Sequence, residues 1–301
     1  MIKRTLYFGN PCKLSLKEGQ LHIDYTGGKP SKSVPVEDTG VIVIDNSQVV
    51  LTAALMMSLM ENNAAVLICN SKHLPDALLL RMHEHHAFTE TVRHQVESSE
   101  PLRKNLWQQT VVAKINNQAA LLELTGIEAK NMNYWAGSVR SGDPDNYEAR
   151  AASFYWSALF GSESVFRRHR YGEPPNNLLN YGYAILRAVI ARSLVASGLM
   201  SFLGIHHRNK YNPYCLADDI MEPYRPFVDR ITLAITEDFE DIEDIDELTP
   251  EIKKRLLVIP STDVIIDGSK SPLMIAAQRT TASLLRCYAG ESRKLLFPVL
   301  E

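Results

Sequence analysis

Hydrophobic and polar positions alternate with a period of two over the first ~70 residues, and this period predicts strands. Thr5–Phe8 is short and apolar. Lys13–Lys17 alternates around Leu14 and Leu16, and Gln20–Tyr25 around Leu21 and Ile23. Glu18-Gly19 between them has the length of a two-residue hairpin turn. Gly27–Pro30 (GGKP) breaks the chain. Val41–Ile44 is an unbroken β-branched run, the pattern of a buried strand, and Ala65–Cys69 is another strand. Leu51–Met60 has helical composition, with Leu55 and Leu59 on one face.

From about Pro75 the period lengthens to that of a helix. Leu102, Leu106, Trp107, Val111, Ile115, Ala119 and Leu122 form one apolar stripe. In Ser141–Pro144 (SGDP), Asp143 suits an N-cap and Pro144 the first helical position. The helix predicted there runs from Asp145 to about Phe160 and stops at Gly161. Tyr171–Asn177 (YGEPPNN) is a loop, a long helix follows to about Leu203, and an amphipathic helix spans Ser271 to about Tyr288. The pattern predicts an α+β chain: a small N-terminal β-sheet domain over residues 1–82, crossed by one helix, then a larger all-α domain over residues 83–301.

Composition adds bounds. The chain has 301 residues, 45 % hydrophobic and 22 % charged, as expected of a soluble globular protein. A net charge of −3 gives no global sign of nucleic-acid binding, so any DNA contact must come from a local basic patch. Cys12, Cys69, Cys215 and Cys287 form no CxxC, which points to reduced thiols and a cytoplasmic location. The N-terminus lacks the apolar core of a signal peptide. The long apolar run Leu178–Leu203 carries Asn180, Arg187 and Arg192, so it is read as a buried helix and no membrane span is expected. Eight acidic residues between Glu237 and Glu247 form a solvated segment without calcium-loop spacing.

Candidate chemistry concentrates in Gly204–Asp229, GIHHRNKYNPYCLADDIMEPYRPFVD. His206, His207, Asp218, Asp219, Glu222 and Asp229 offer nitrogen and oxygen donors of the kind that bind Mn²⁺, Mg²⁺ or Zn²⁺. A plainer reading keeps Asp218 as a helix cap and the other charges in solvent. Glu148, set among Ala149, Ala151 and Ala152, can stand at a close helix–helix seam, or can simply favour the helix dipole. His83–His86 (HEHH) places two imidazoles on one helical face but offers no third ligand, which favours a surface helix or linker. Arg167–Arg170 (RRHR) suits phosphate, or pairing with the acidic run.

Three segments, in order, resemble one family. YEARAASFYWSALFG with Glu148, NNLLNYGYAIL at Asn176–Leu186, and GIHH…LADDIMEPYRPFVD are similar to motifs of the CRISPR-associated adaptation integrases, the family of the first Cas protein. DIMEPYRP looks most like the type II branch. The resemblance covers essentially the whole chain and implies an N-terminal β-domain and an all-helical catalytic domain. It implies a metal site of Glu148, His207 and Glu222 holding Mn²⁺ or Mg²⁺, with Asp219 as an auxiliary acid. Many relatives carry aspartate where Glu222 stands. The activity it implies is antiviral: a metal-dependent DNA endonuclease and integrase that nicks branched DNA and joins spacer 3′-hydroxyls to the CRISPR repeat. Arg150, Arg167, Arg168, Arg170, Arg208 and Arg225 are the candidates to hold DNA. The implied partners are double-stranded DNA, a second copy of the chain, and the second Cas protein, whose dimer is flanked by two such homodimers. The effector nuclease of type II systems is a further one.

Two other classes stay open: a metal-dependent branched-DNA nuclease without integration, and a non-catalytic scaffold that assembles on DNA. The product of reaction separates the first, and chelator sensitivity the second. His206 and His207 cannot readily share a metal, because neighbouring side chains diverge. The family motif places its histidine three after the glycine, which selects His207 and leaves His206 to pack or meet DNA. The paired apolar faces of Leu14 and Leu16 and of Leu21 and Ile23, on a sheet too small to hide them, predict that the homodimer meets through its β-domains.

Overall fold

The computed structural model describes residues 3–26, 29–82, 85–160, 166–169, 171–239 and 245–301. Eight strands fall in the N-terminal part: β1 (Arg4–Phe8), β2 (Cys12–Lys17), β3 (Gln20–Tyr25), β4 (Lys32–Pro35), β5 (Thr39–Ile44), β6 (Val50–Leu51), β7 (Ala65–Cys69) and β8 (Pro75–Leu79), with helix α1 (Ala53–Glu61) before β7. They form two four-stranded sheets, ordered β1-β5-β7-β8 and β4-β3-β2-β6. The β2–β3 hairpin turns on Glu18 and Gly19, both with positive φ (50° and 72°), as a tight two-residue turn requires. Thr52 caps α1, which buries Leu55 and Leu59 as their spacing predicts.

The central strands of the first sheet, β5 and most of β7, are buried on both faces. Side chains alternate along its strands. Ile42, Ile44 and Val66 pack toward the second sheet and α1, while Val41, Val43, Ala65 and Leu67 join the core of the helical part. This explains why Thr39–Ile44 is buried throughout and reads as a continuous β-branched run. Leu14, Leu21 and Ile23 are also buried inside the chain, with α1 among their neighbours in the core. That apolar face is therefore not a surface left for a second copy.

Two expectations are corrected here. Pro75–Leu79 is a strand, not the start of the helical texture, because antiparallel pairing to β7 overrides its weak β-propensity. The C-terminal part is not purely helical. Its helices are α2 (Phe88–Val96), α3 (Glu100–Leu124), α4 (Lys130–Ser138), α5 (Tyr147–Leu159), α6 (Asn176–Ala196), α7 (Cys215–Met221), α8 (Arg225–Thr236), α9 (Pro250–Leu256) and α10 (Leu273–Tyr288). A three-stranded sheet accompanies them: β9 (Asp263–Ile266), β10 (Ser269–Pro272) and β11 (Pro298–Val299), ordered β10-β9-β11. The α+β class holds.

Helices α3 and α6 form the centre of the helical part. The stripe on α3 is buried from Leu106 to Leu122, and α6 is buried over most of its length, as a core helix rather than a membrane span. The strand end at Asp45 is tied to α9 by charge. Lys253 Nζ lies 2.7 Å from Asp45 Oδ2, which also accepts from Tyr7 Oη at 2.6 Å, and His73 Nδ1 lies 2.9 Å from Oδ1. Both Asp45 and Lys253 are buried.

Candidate active site

Helix α5 begins later than the sequence predicts, and the delay places Glu148. Asp143 and Asn146 both take positive φ, and the helix starts at Tyr147 rather than at Pro144. Asp143 still caps it: its two carboxylate oxygens accept from the amides of Tyr147 and Glu148, each at 2.9 Å. Glu148 is thereby held in the first turn, facing α3.

Pro223 does not kink one helix. The chain leaves α7 at Met221, tightens into a 3-10 turn over Glu222–Tyr224 and restarts as α8. This puts Glu222 at the tight turn, where it is buried. Its carboxylate is held from two sides, with Arg225 at 2.9 Å from Oε1 and Lys114 Nζ at 2.6 Å from Oε2. The second contact is an ion pair without hydrogen-bond alignment. Burial alone would raise the Glu222 pKa, but Arg225 and Lys114 outweigh it and bring it to about 2.

Lys114 is the residue that the sequence motifs do not contain. It projects from α3, is buried, and pairs with Glu148 Oε1 as well as with Glu222. Burial opposes its charge, yet Glu222 and Glu148 push its pKa up. The signal that could have found it is a lysine inside an apolar stripe, three residues after Val111 and beside Ile115.

Gly204 and Asp219 build the histidine side of the site. Asp219 is fully buried and gathers the turn: Ile205 and His206 amides donate to Oδ2 at 2.6 and 3.0 Å, and the His207 amide to Oδ1 at 3.2 Å. A Cβ on Gly204 would stand 2.3 Å from the His207 carbonyl oxygen and 2.9 Å from Asp219 Oδ2, so only glycine permits this wrap. His207 Nδ1 lies 2.6 Å from Asp219 Oδ1, which leaves Nε2 for a ligand or a proton. That hydrogen bond raises the His207 pKa against burial. His206 instead stacks flat on Trp107, ring centroids 4.1 Å apart, and burial lowers its pKa.

Among the described residues no three His, Cys, Asp or Glu side chains converge as a ready-made metal site. The donor set nevertheless suits a hard divalent cation. Two carboxylates from separate helices already share one cation, Lys114, and the neighbouring imidazole is oriented by a carboxylate, as metal-binding histidines usually are.

The arginine candidates divide. Arg225 supports Glu222 and lies over the Tyr183 ring at 4.6 Å. Arg150 and Arg208 are exposed, two residues from Glu148 and one from His207. Arg167 is exposed too, but Arg168 turns inward to the Oδ1 atoms of Asn176 (2.9 Å) and Asn180 (2.7 Å), and to the Tyr183 ring at 5.2 Å. It ties the loop to α6, and burial lowers its pKa. Arg170 lies outside the described residues, as do His83 of the HEHH segment and residues 240–244 of the acidic run. Asp238, at the start of that run, pairs with Arg255. Asp218 does not cap α7; it pairs with Arg187 at 2.7 Å and accepts from Asn212.

Behind the site Asp229 is buried and accepts from Tyr155 Oη at 2.8 Å and Tyr183 Oη at 2.5 Å. Burial outweighs the tyrosines and nearby arginines and raises its pKa from 3.8 to about 6. A carboxyl raised in the folded state stabilises the fold fully below its unfolded pKa and loses that contribution as pH climbs through about 6. Wild-type stability relative to Asp229→Asn is therefore expected to fall, on the order of 2 kcal/mol, between pH 4 and pH 7. Urea midpoints of both proteins across that range measure it, and parallel curves would refute it.

Residues 6–258 match the family described as CRISPR associated protein Cas1. The chain belongs to the Cas1 family. It is 39 % identical over 298 residues to the CRISPR-associated endonuclease Cas1 of Neisseria meningitidis serogroup C (strain 8013), covering 98 % of this chain and 95 % of that protein. Among solved structures, a casposase bound to integration product superimposes with a TM-score of 0.78 at 18 % identity, covering 98 % of this chain and 92 % of that one. A Cas6-RT-Cas1–Cas2 complex gives 0.75 at 19 %, covering 100 % of this chain and 37 % of that one. At these identities the likeness is one of fold. Within the Cas1 fold the three sequence segments supply α5, α6 and the turn through α7 into α8, and Glu148 and Glu222 from the first and third meet at Lys114.

Proposed function

We propose that this chain is a metal-dependent DNA endonuclease and integrase of CRISPR adaptation, joining a spacer 3′-hydroxyl to the CRISPR repeat by transesterification at phosphorus. The observation that carries it is the convergence of Glu148 and Glu222, 74 positions apart, on one buried cation in a Cas1-family chain. Similarity to an endonuclease Cas1 across nearly the whole chain, and to a casposase seen with an integration product, supports the reaction class.

Glu148, Glu222 and His207 Nε2 would hold Mn²⁺ or Mg²⁺, whose chemistry is to polarise a phosphate oxygen and offset negative charge developing at phosphorus. The chain's own groups do the positioning. Asp219 fixes the His207 ring and its backbone together, and Arg225 holds the second oxygen of Glu222. Trp107 stacks on His206 and so holds that ring apart from the carboxylates. His207 Nε2 is the nitrogen available to move a proton of the attacking hydroxyl if it is not a ligand. Exposed Arg150, Arg167 and Arg208 would meet phosphates, whereas Arg168 and Arg225 act from within the fold.

The partners in this reading are double-stranded DNA, a second copy of the chain and Cas2, with two homodimers flanking a Cas2 dimer in the cytoplasm. A type II effector nuclease would join in selection of the DNA. The fold's likeness to a chain of a Cas6-RT-Cas1–Cas2 complex supports the Cas2 contact.

The test is incubation of the pure protein, with and without Cas2, with a short duplex bearing free 3′-hydroxyls, a supercoiled repeat plasmid and Mn²⁺. Duplex strands covalently joined to the plasmid, lost on chelation while DNA binding persists, are expected. Nicks without joining would reduce the reading to a nuclease, and chelator-insensitive binding without products would leave a scaffold.

A further inference from the structure

Lys114 stands at the point where the proposed metal site would have its positive charge. Its ammonium contacts carboxylates from α5 and from the 3-10 turn, two segments that meet at this point of α3. Glu222 is buried and Glu148 half-buried, and two carboxylates this close repel each other unless a positive charge stands between them. The lysine fills this need imperfectly. It aligns a hydrogen bond to Glu148 but only an ion pair to Glu222 Oε2. Its helix cannot follow the side chain, because Trp107, Val111 and Ile115 anchor α3 in the core. The flexible four-carbon stem can move alone.

The geometry assigns Lys114 the role of a resident counter-ion that a divalent cation must displace, so this lysine sets the metal affinity of the site. This inference rests on the metal reading above. A divalent ion brings twice the charge and binds carboxylate lone pairs directly, whereas an ammonium offers single donors. Binding then includes the work of extracting Lys114 from two carboxylates, and the apparent affinity is lower by that amount. The device holds Glu148 and Glu222 in place before metal arrives. On release, the ammonium remains beside the site as a monovalent charge able to meet a DNA phosphate.

The experiment is Mn²⁺ binding by calorimetry to the full chain without DNA. Lys114→Met, which keeps the stem and removes the charge, is expected to bind Mn²⁺ at least ~10-fold more tightly than wild type. Its melting temperature should be lower in chelator and should rise further on adding Mn²⁺, since a ligand that binds only the folded state stabilises it. Equal or weaker binding by Lys114→Met overturns the inference. The double variant Glu148→Gln/Glu222→Gln separates the two levels. If it binds Mn²⁺ as wild type does, the metal lies elsewhere and the site assignment itself falls, taking the inference with it.

A measurement on wild type guards against a variant that fails to fold. Amine acetylation read by peptide mass spectrometry is expected to modify Lys114 several-fold faster with Mn²⁺ than with chelator, while exposed Lys254 reacts equally in both. Unchanged protection of Lys114 under Mn²⁺ saturation overturns displacement.

Discussion

Alanine at Glu148, His207 or Glu222 is expected to lower strand joining by at least ~100-fold, and any two together to add little, because groups that act as one unit are not additive. The first and third lose a carboxylate from the pair that meets at Lys114. The second loses the ring that Asp219 orients. His206→Ala removes a stacking contact on Trp107 and no site donor, so it should keep near-normal Mn²⁺ dependence. A joining assay titrated with Mn²⁺ distinguishes them. Retention of joining by Glu148→Ala, or an exchange of the two histidine phenotypes, would displace the site as drawn.

Lys253→Met is expected to cost about 3–5 kcal/mol of stability, because it strands a buried carboxylate. Asp45 is 3 % exposed and would keep Tyr7 and His73 but no cation held against it as Lys253 is. Burial opposes its charge, and Lys253, Tyr7 and His73 together still lower its pKa. Denaturant unfolding should show the loss, and the double variant Asp45→Asn/Lys253→Met should recover much of it. A loss below ~1 kcal/mol would mean that water reaches Asp45 and the tie is weak.

Much of this fold is legible where local chemistry decides it. Glu18-Gly19 has the residues a tight hairpin needs, and the α3 stripe shows its period. Asp267-Gly268 after Val264–Ile266 carries the same hairpin signal, with both φ positive, and so the β9–β10 turn is readable in kind. β8 is not: PDALL has no β-branched residue, and only its neighbour makes it a strand. Glu148 and Glu222 are legible through motif order, and His207 through its spacing from Gly204. Their common contact, Lys114, is a tertiary fact that no local pattern contains, although a lysine within an apolar stripe marks the position. The inward turn of Arg168 is likewise set by Asn176 and Asn180, not by its place in RRHR. The faces of Leu14, Leu21 and Ile23 look unpartnered along the chain because the first sheet and α1, which cover them, come from other segments.

The doubly covered sheet bears on how this chain can be recombined with its relatives. Val41, Val43, Ala65 and Leu67 belong to one core with α3 and α6, although they lie on the other side of residue 82. A chimera spliced in the stretch between Leu79 and Phe88 would join two halves along a side-chain surface moulded separately in each parent. Substituting the four apolar positions as a set with the incoming half, and keeping Asp45 matched to Lys253, is the condition for such a hybrid to fold as one unit.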